Sequence, residues 1–146
     1  MEPGGGRMRE ILFRGKRIDT GEWVYGVPVI GITTGVFMVW IESKAKRGRG
    51  ELSLRDVVKQ AEVIPETVGQ YTGLEDKNGQ KIFEGDILDC GDRIVRVEWN
   101  GPSGTWDSVF IKYIMGYVTN GVFPVRWKYR ATVIGNIHDN PELMEV

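Results

Sequence analysis

Twenty glycines, set between short aromatic and β-branched runs, limit what this 146-residue chain can fold into more than any other feature. Glycine reaches the positive φ of tight turns without strain, and it weakens helices. A chain punctuated this often offers few stretches long enough for a helix and many suited to short antiparallel strands. Alternation and residue type predict strands at residues 10–13, 23–30, 35–41, 93–99, 108–114, 122–130 and 131–137. Residues 35–41 form a nearly continuous apolar run, whereas 93–99 alternates, with Arg93, Val95, Val97 and Trp99 on one face. Asn78-Gly79, Asn100-Gly101 and Asn120-Gly121 are turn dipeptides, the first and last suited to two-residue hairpin loops. Helix is confined to two short turns, one capped by Ser53 over residues 54–58 and one opened by Pro65. Core candidates are Ile11, Phe13, Trp23, Tyr25, Val27, Phe37, Val39, Ile82 and Ile87, then Val95, Val97, Trp99, Phe110, Trp127, Tyr129, Val133 and Ile134. The expected class is all-β, with roughly 8–10 short strands in antiparallel sheets.

The charge balance narrows the partners. Nineteen basic and twenty acidic residues leave a net charge of -1, without the strongly basic character of a dedicated nucleic-acid domain. With 41% hydrophobic and 27% charged residues, the chain has the composition of a globular domain rather than a disordered one. Cys90 is the one cysteine, so no internal disulfide can form, and a reducing compartment fits. No apolar run has the length of a membrane span, and Met1 to Met8 has no hydrophobic stretch of the kind a signal peptide carries. The expectation is a cytoplasmic protein with no membrane contact, residues 1–8 a disordered tail and residues 9–146 a single β domain.

The middle of the chain reads IPETVGQYTGLEDKNGQKIFEGDIL, from Ile64 to Leu88. Near the start stand Arg9-Glu10-Ile11, Phe13-Arg14-Gly15-Lys16 and Gly21-Glu22-Trp23-Val24-Tyr25-Gly26. Near the end stands Val133-Ile134-Gly135-Asn136-Ile137-His138-Asp139-Asn140-Pro141-Glu142-Leu143. Together these segments resemble the YopX family of bacteriophage and prophage proteins, in order over most of residues 8–146. The match weakens between Ser43 and Lys59 and between Gly101 and Asn120. The resemblance implies coiled β-sheets containing an SH3-like barrel and a phage or prophage protein in a bacterial cytoplasm. It brings no catalytic residue and no cofactor with it.

The central segment also has a physical account of its own. Asn78-Gly79 closes a hairpin, Gly85-Asp86 turns the chain into a strand at 87–90, and Gly69 and Gly73 are placed for bends around Tyr71. On one view the segment is a folding device. On the other it builds a partner-binding surface from Glu66, Gln70, Tyr71, Thr72, Glu75 and Asp76, whose polar and aromatic groups would grip a host or phage protein.

Sites for chemistry are sparse. One cysteine and one histidine fall short of a zinc site, and His138-Asp139 with Glu142 reads more simply as a turn ending the last strand. Nothing ties Ser53, Ser103, Ser108 or Cys90 to His138 as a nucleophile to its base. Neither a phosphate-binding loop nor a dinucleotide fingerprint is present. Glu84 with Asp86, or Glu75 with Asp76, are the carboxylate pairs that acid–base work would use, but turns carry such residues routinely. The sequence therefore points to a non-enzymatic protein-binding module with no cofactor and no metal, of the kind that also self-associates as a homo-oligomer. The alternative is nucleic-acid binding. As a strand, residues 126–130 would set Arg126, Lys128 and Arg130 on one face and Trp127 with Tyr129 on the other. The loop cations Lys44, Lys46, Arg47 and Arg49 would extend that basic face.

Overall fold

The computed structural model describes residues 9–43, 56–114 and 127–145. The tail 1–8, the Ser53 cap and the Asn120-Gly121 turn lie outside the described residues. The chain divides into two compact units, one spanning Leu12–Gly69 and the other taking the chain from Gln70 onward together with residues 9–11. Both are built from antiparallel strands, so the all-β class holds.

The first unit holds β1 (Phe13–Lys16), β2 (Trp23–Gly31), β3 (Gly35–Ser43) and β4 (Asp56–Val63), in the order β4-β3-β2-β1. Strand β2 changes partner part-way along. It pairs with β1 as far as Phe13↔Gly26 and with β3 from Val27↔Val39 onward. Strands β3 and β4 run in register from Val36↔Val63 to Ser43↔Asp56. Residues 56–58 are thus strand and not the helical turn expected there, because β3 supplies a full-length hydrogen-bonding partner. The turn opened by Pro65 does form, as a 3-10 turn at Pro65–Thr67. It is pinned by the Thr67 hydroxyl, which accepts from the Lys16 N–H at 2.9 Å and donates to the Ile64 carbonyl at 2.6 Å. Among the described residues of this unit, Met38, Ala61 and Val63 are the buried apolar ones.

The second unit holds the hairpin β5 (Gly69–Glu75) with β6 (Lys81–Phe83) and a sheet in the order β10-β7-β8-β9. Its members are β7 (Asp86–Asp89), β8 (Arg93–Asn100), β9 (Thr105–Tyr113) and β10 (Thr132–Asn136). Among the described residues this is an open sheet. Its edges, β9 and β10, share no ladder, whereas in the first unit the chain just after β1 is bridged to the end of β4 at Arg17↔Val63. The alternation in β8 sends its two sets of side chains to two different cores. Val95 and Val97 join Ile82, Leu88, Cys90, Trp127 and Ala131, while Ile94 joins Ile87 and Ile111 under Ile137, Leu143 and Met144.

Residues 127–130 are a single turn of helix, α1, and not the end of a strand. Trp127 is fully buried and the three residues after it are exposed, which is a one-turn pattern rather than an alternating one. Several residues expected in the core are open instead: Ile11, Tyr25, Val27, Trp99, Phe110, Tyr129 and Ile134.

Candidate functional site

The central segment is held together by its own polar side chains. Asp76 is only 2% exposed, yet its carboxylate accepts three backbone N–H groups. Oδ1 takes those of Asn78 (2.8 Å) and Gln80 (2.9 Å), and Oδ2 takes that of Val133 on β10 (3.0 Å). One side chain thus closes the β5–β6 loop and ties that loop to the sheet. The pairing Glu75↔Lys81 leaves five residues in the loop, where the sequence suggests two; Gly79 takes a φ of 80° within it. The Thr72 hydroxyl bridges the same hairpin, donating to the Ile82 carbonyl at 2.8 Å and accepting from the Leu74 N–H at 3.1 Å. At the next turn Asp86 accepts from the Phe83 N–H at 2.8 Å, and Gly85 has a φ of 88°.

This geometry corrects the expected partner surface. Tyr71, Thr72 and Asp76 are buried, because Tyr71 packs its ring 5.6 Å from that of Phe83 and the other two satisfy backbone groups. Burial also pushes the Tyr71 phenol up from its ordinary value. Glu75 is exposed and Gln70 partly so, while Glu66 sits exposed on the 3-10 turn of the first unit. The six residues therefore form no single exposed patch. Asp86, one of the four carboxylates weighed for acid–base work, is likewise buried, at the start of β7.

The basic stripe is overturned where it can be seen. Lys128 and Arg130 lie on α1, where a helical step of two residues turns them to well-separated directions, and Tyr129 between them is 75% exposed. Lys44, Lys46, Arg47, Arg49 and Arg126 lie outside the described residues. The turn after β10 is organised by Asn136, whose Oδ1 accepts from the N–H groups of His138 (3.0 Å) and Asp139 (2.9 Å). Among the described residues, no three of His, Cys, Asp and Glu come together as a metal-holding group. No helix among them is long and apolar enough to cross a membrane.

Cys90 is 1% exposed, and burial pushes its thiol up to about 11, with Asp89 and Asp92 adding to the shift. The neutral thiol is thus favoured by folding. That contribution to stability is fully present below the thiol's ordinary value of 9.0 and is lost as pH rises from there to about 11. A thiol reagent at pH 8 is expected to label the folded protein far more slowly than the denatured one. Cys90→Ala should flatten the alkaline limb of the stability–pH curve. Rapid native labelling would contradict the buried placement.

What sequence reasoning missed lies on the first sheet. Cross-strand partners share a face, so the pairs Val27↔Val39, Val29↔Phe37 and Ile41↔Val58 set these six side chains on one side of β2, β3 and β4. Exposure there is high for apolar residues: Val27 51%, Val29 53%, Ile41 54% and Val58 67%, with Tyr25 at 47% on the same face by alternation. The opposite face carries the buried Met38, Ala61 and Val63. The signal is present in the apolar run 35–41, since a strand apolar at every position is one built for cover on both faces.

Comparison with known proteins agrees with this architecture. The crystal structure of protein EF1440 from Enterococcus faecalis matches with a TM-score of 0.54 at 23% sequence identity, over 94% of this chain and 100% of that chain. At that identity the likeness speaks for the fold alone. No curated protein matches the sequence. A family model described as YopX protein matches residues 12–145, nearly the whole length, and the chain belongs to the YopX family.

Proposed function

We propose that this chain is a phage or prophage accessory protein that works in the host cytoplasm as a non-enzymatic protein-binding module. Its contact surface is the apolar face of the first sheet. The observation that carries this reading is the row of half-exposed Val27, Val29, Ile41 and Val58 on one side of β2–β4. Isolated exposed apolar residues are ordinary, but a contiguous set on a sheet face is a usual mark of an interaction site. The central hairpin supports the scaffold rather than the contact, since Thr72 and Asp76 spend their polar atoms on backbone.

The test uses tagged protein and its Val29→Lys variant to capture proteins from bacterial lysate, with and without nuclease. Each captured protein is then purified and its binding measured directly. Because Val29 is half exposed, the variant is expected to fold like the parent. Saturable binding that Val29→Lys weakens by about tenfold, or 1.4 kcal/mol, is the expected result. Capture of nucleic acid alone, lost on nuclease treatment and weakened steeply by salt, would overturn this reading in favour of the cationic one.

A further inference from the structure

We infer that Asn78-Gly79 is a self-modifying site, where the chain converts Asn78 to aspartate or isoaspartate with water as co-reactant, and that Asp76 is the latch that paces it. Asparagine is a thermally labile residue because the following backbone nitrogen can attack its side-chain carbonyl carbon. A C–N bond then closes a succinimide ring, the Cγ–Nδ2 bond breaks, and ammonia leaves with the proton the nitrogen gave up. Water adds to either ring carbonyl, giving aspartate in the normal main chain or isoaspartate linked through its side chain. Nothing is oxidised or reduced. The site lies in the β5–β6 loop of the second unit and is independent of the contact surface proposed above.

Four asparagines lie among the described residues, and the structure singles out this one. Asn140 precedes Pro141, which has no N–H to lose. Asn136 precedes the β-branched Ile137, and its carboxamide is fixed at both ends. Its Oδ1 accepts from His138 and Asp139, and its Nδ2 donates to Asp139 at 3.1 Å. Asn100 precedes Gly101, which has no side chain to obstruct attack, but it too is held. Its Nδ2 donates to Asp107 at 2.8 Å and its Oδ1 accepts from the Ser103 N–H at 3.2 Å, so the carboxamide must give up both bonds before it can turn toward Gly101. Asn78 also precedes a glycine. It is exposed, and among the described residues no hydrogen bond holds its carboxamide.

What restrains Asn78 is its backbone. Its N–H donates to Asp76 Oδ1 at 2.8 Å, and the nucleophile itself, the Gly79 N–H, donates to the Asp76 carbonyl at 3.0 Å. Attack therefore waits for the loop to open locally, and Asp76 sets how often it does. The product acts back on the same latch. It adds a carboxylate near Glu75, whose Oε2 lies 4.0 Å from where a Cβ of Gly79 would stand. The isoaspartate form also lengthens the main chain between the Asn78 and Gln80 donors that share Asp76 Oδ1.

The test incubates the full chain in heavy-oxygen water at neutral and mildly alkaline pH, natively and in guanidinium chloride, beside Asp76→Ala and Asn78→Gln. Circular dichroism checks that each variant folds; if Asp76→Ala does not, Asp76→Asn takes its place. Digestion puts Asn78 and Asn100 on separate peptides, which mass spectrometry follows while chromatography separates isoaspartate from aspartate. In the native parent Asn78 is expected to convert about tenfold faster than Asn100, faster still at the higher pH, with heavy oxygen in the product. In denaturant the two should convert at similar rates, because local sequence alone then decides. Asp76→Ala should speed conversion of Asn78 by about tenfold and leave Asn100 unchanged. Asn78→Gln should abolish the signal at that site. The converted fraction, separated by its extra negative charge, should melt about 4 °C below the fresh chain. Asn100 converting as fast as Asn78 in the native chain would overturn the inference, as would an unmodified Asn78 or a product without heavy oxygen. An unchanged rate in the Asp76 variant would overturn the latch.

Discussion

Replacing Asp76 with alanine is expected to lower the unfolding free energy by about 3–5 kcal/mol, the loss typical of a broken buried polar network. The substitution removes the acceptor of three backbone N–H groups at once, those of Asn78, Gln80 and Val133. Bonds to a charged acceptor contribute about 1.5–3 kcal/mol each, but the two loop donors lie near solvent and recover water. The Val133 N–H, on β10 beside the larger core, recovers less. Asp76→Asn keeps the shape and one acceptor oxygen. It also turns an N–H₂ toward a backbone donor, so it should fall about midway between parent and alanine. Urea unfolding followed by circular dichroism measures both, and an unchanged slope would show that only stability moved. An Asp76→Ala midpoint equal to the parent's would mean that the loop does not depend on this carboxylate. Asp19→Ala, at an exposed pair with Arg17, is the control and should leave the midpoint close to the parent's.

The same residues show how far the sequence carries. Strand content and most strand positions follow from glycine spacing and alternation, because a two-residue period survives even in short runs. Strand β3 matches its expected span almost residue for residue. The errors arise where a local pattern has two solutions. Arg126-Trp127-Lys128-Tyr129-Arg130 alternates for five residues, too short to separate a strand from one turn of helix beginning at a buried tryptophan. Thr72 and Asp76 look like surface residues by type. Only the fold reveals that backbone donors and acceptors surround them, since hydrogen-bond partners 10 and 57 residues away are invisible to a local window. The exposed face of the first sheet escapes for a related reason. Period-two patterning sorts residues between faces, but it cannot say whether the second face is covered by this chain or by another. Tyr25 and Val27 therefore read as core by pattern, although Met38 and Val63 are the residues that occupy it.

Gly26 is where the geometry of that face is decided, and Gly26→Ala is the other substitution with a large expected effect. It stands where β2 leaves β1 and takes up β3, between the pairs Phe13↔Gly26 and Val27↔Val39. A strand that exchanges partners must bring its backbone close to the new one before the ladder begins, and glycine permits that approach. A Cβ at this position would lie 2.2 Å from the Val39 carbonyl oxygen and 2.9 Å from the Val39 carbonyl carbon. Both atoms are backbone, so no rotamer change relieves the clash, and β2 must move away from β3. Overpacking of this kind costs about 3 kcal/mol or more. Gly21→Ala is the comparison. That glycine has a φ of 73° and nothing within 4 Å of where a Cβ would stand, so only the conformational cost of about 1–2 kcal/mol applies. Thermal unfolding of the two variants should rank Gly26→Ala well below Gly21→Ala. Hydrogen exchange should show lost protection at Val27 and Val29, the strand carrying half of the proposed contact. The first variant should therefore also bind a partner through that face more weakly at temperatures where it is still folded. Equal melting of the two would mean that β2 and β3 tolerate separation at the handover, and that the apolar face is not set by this close approach.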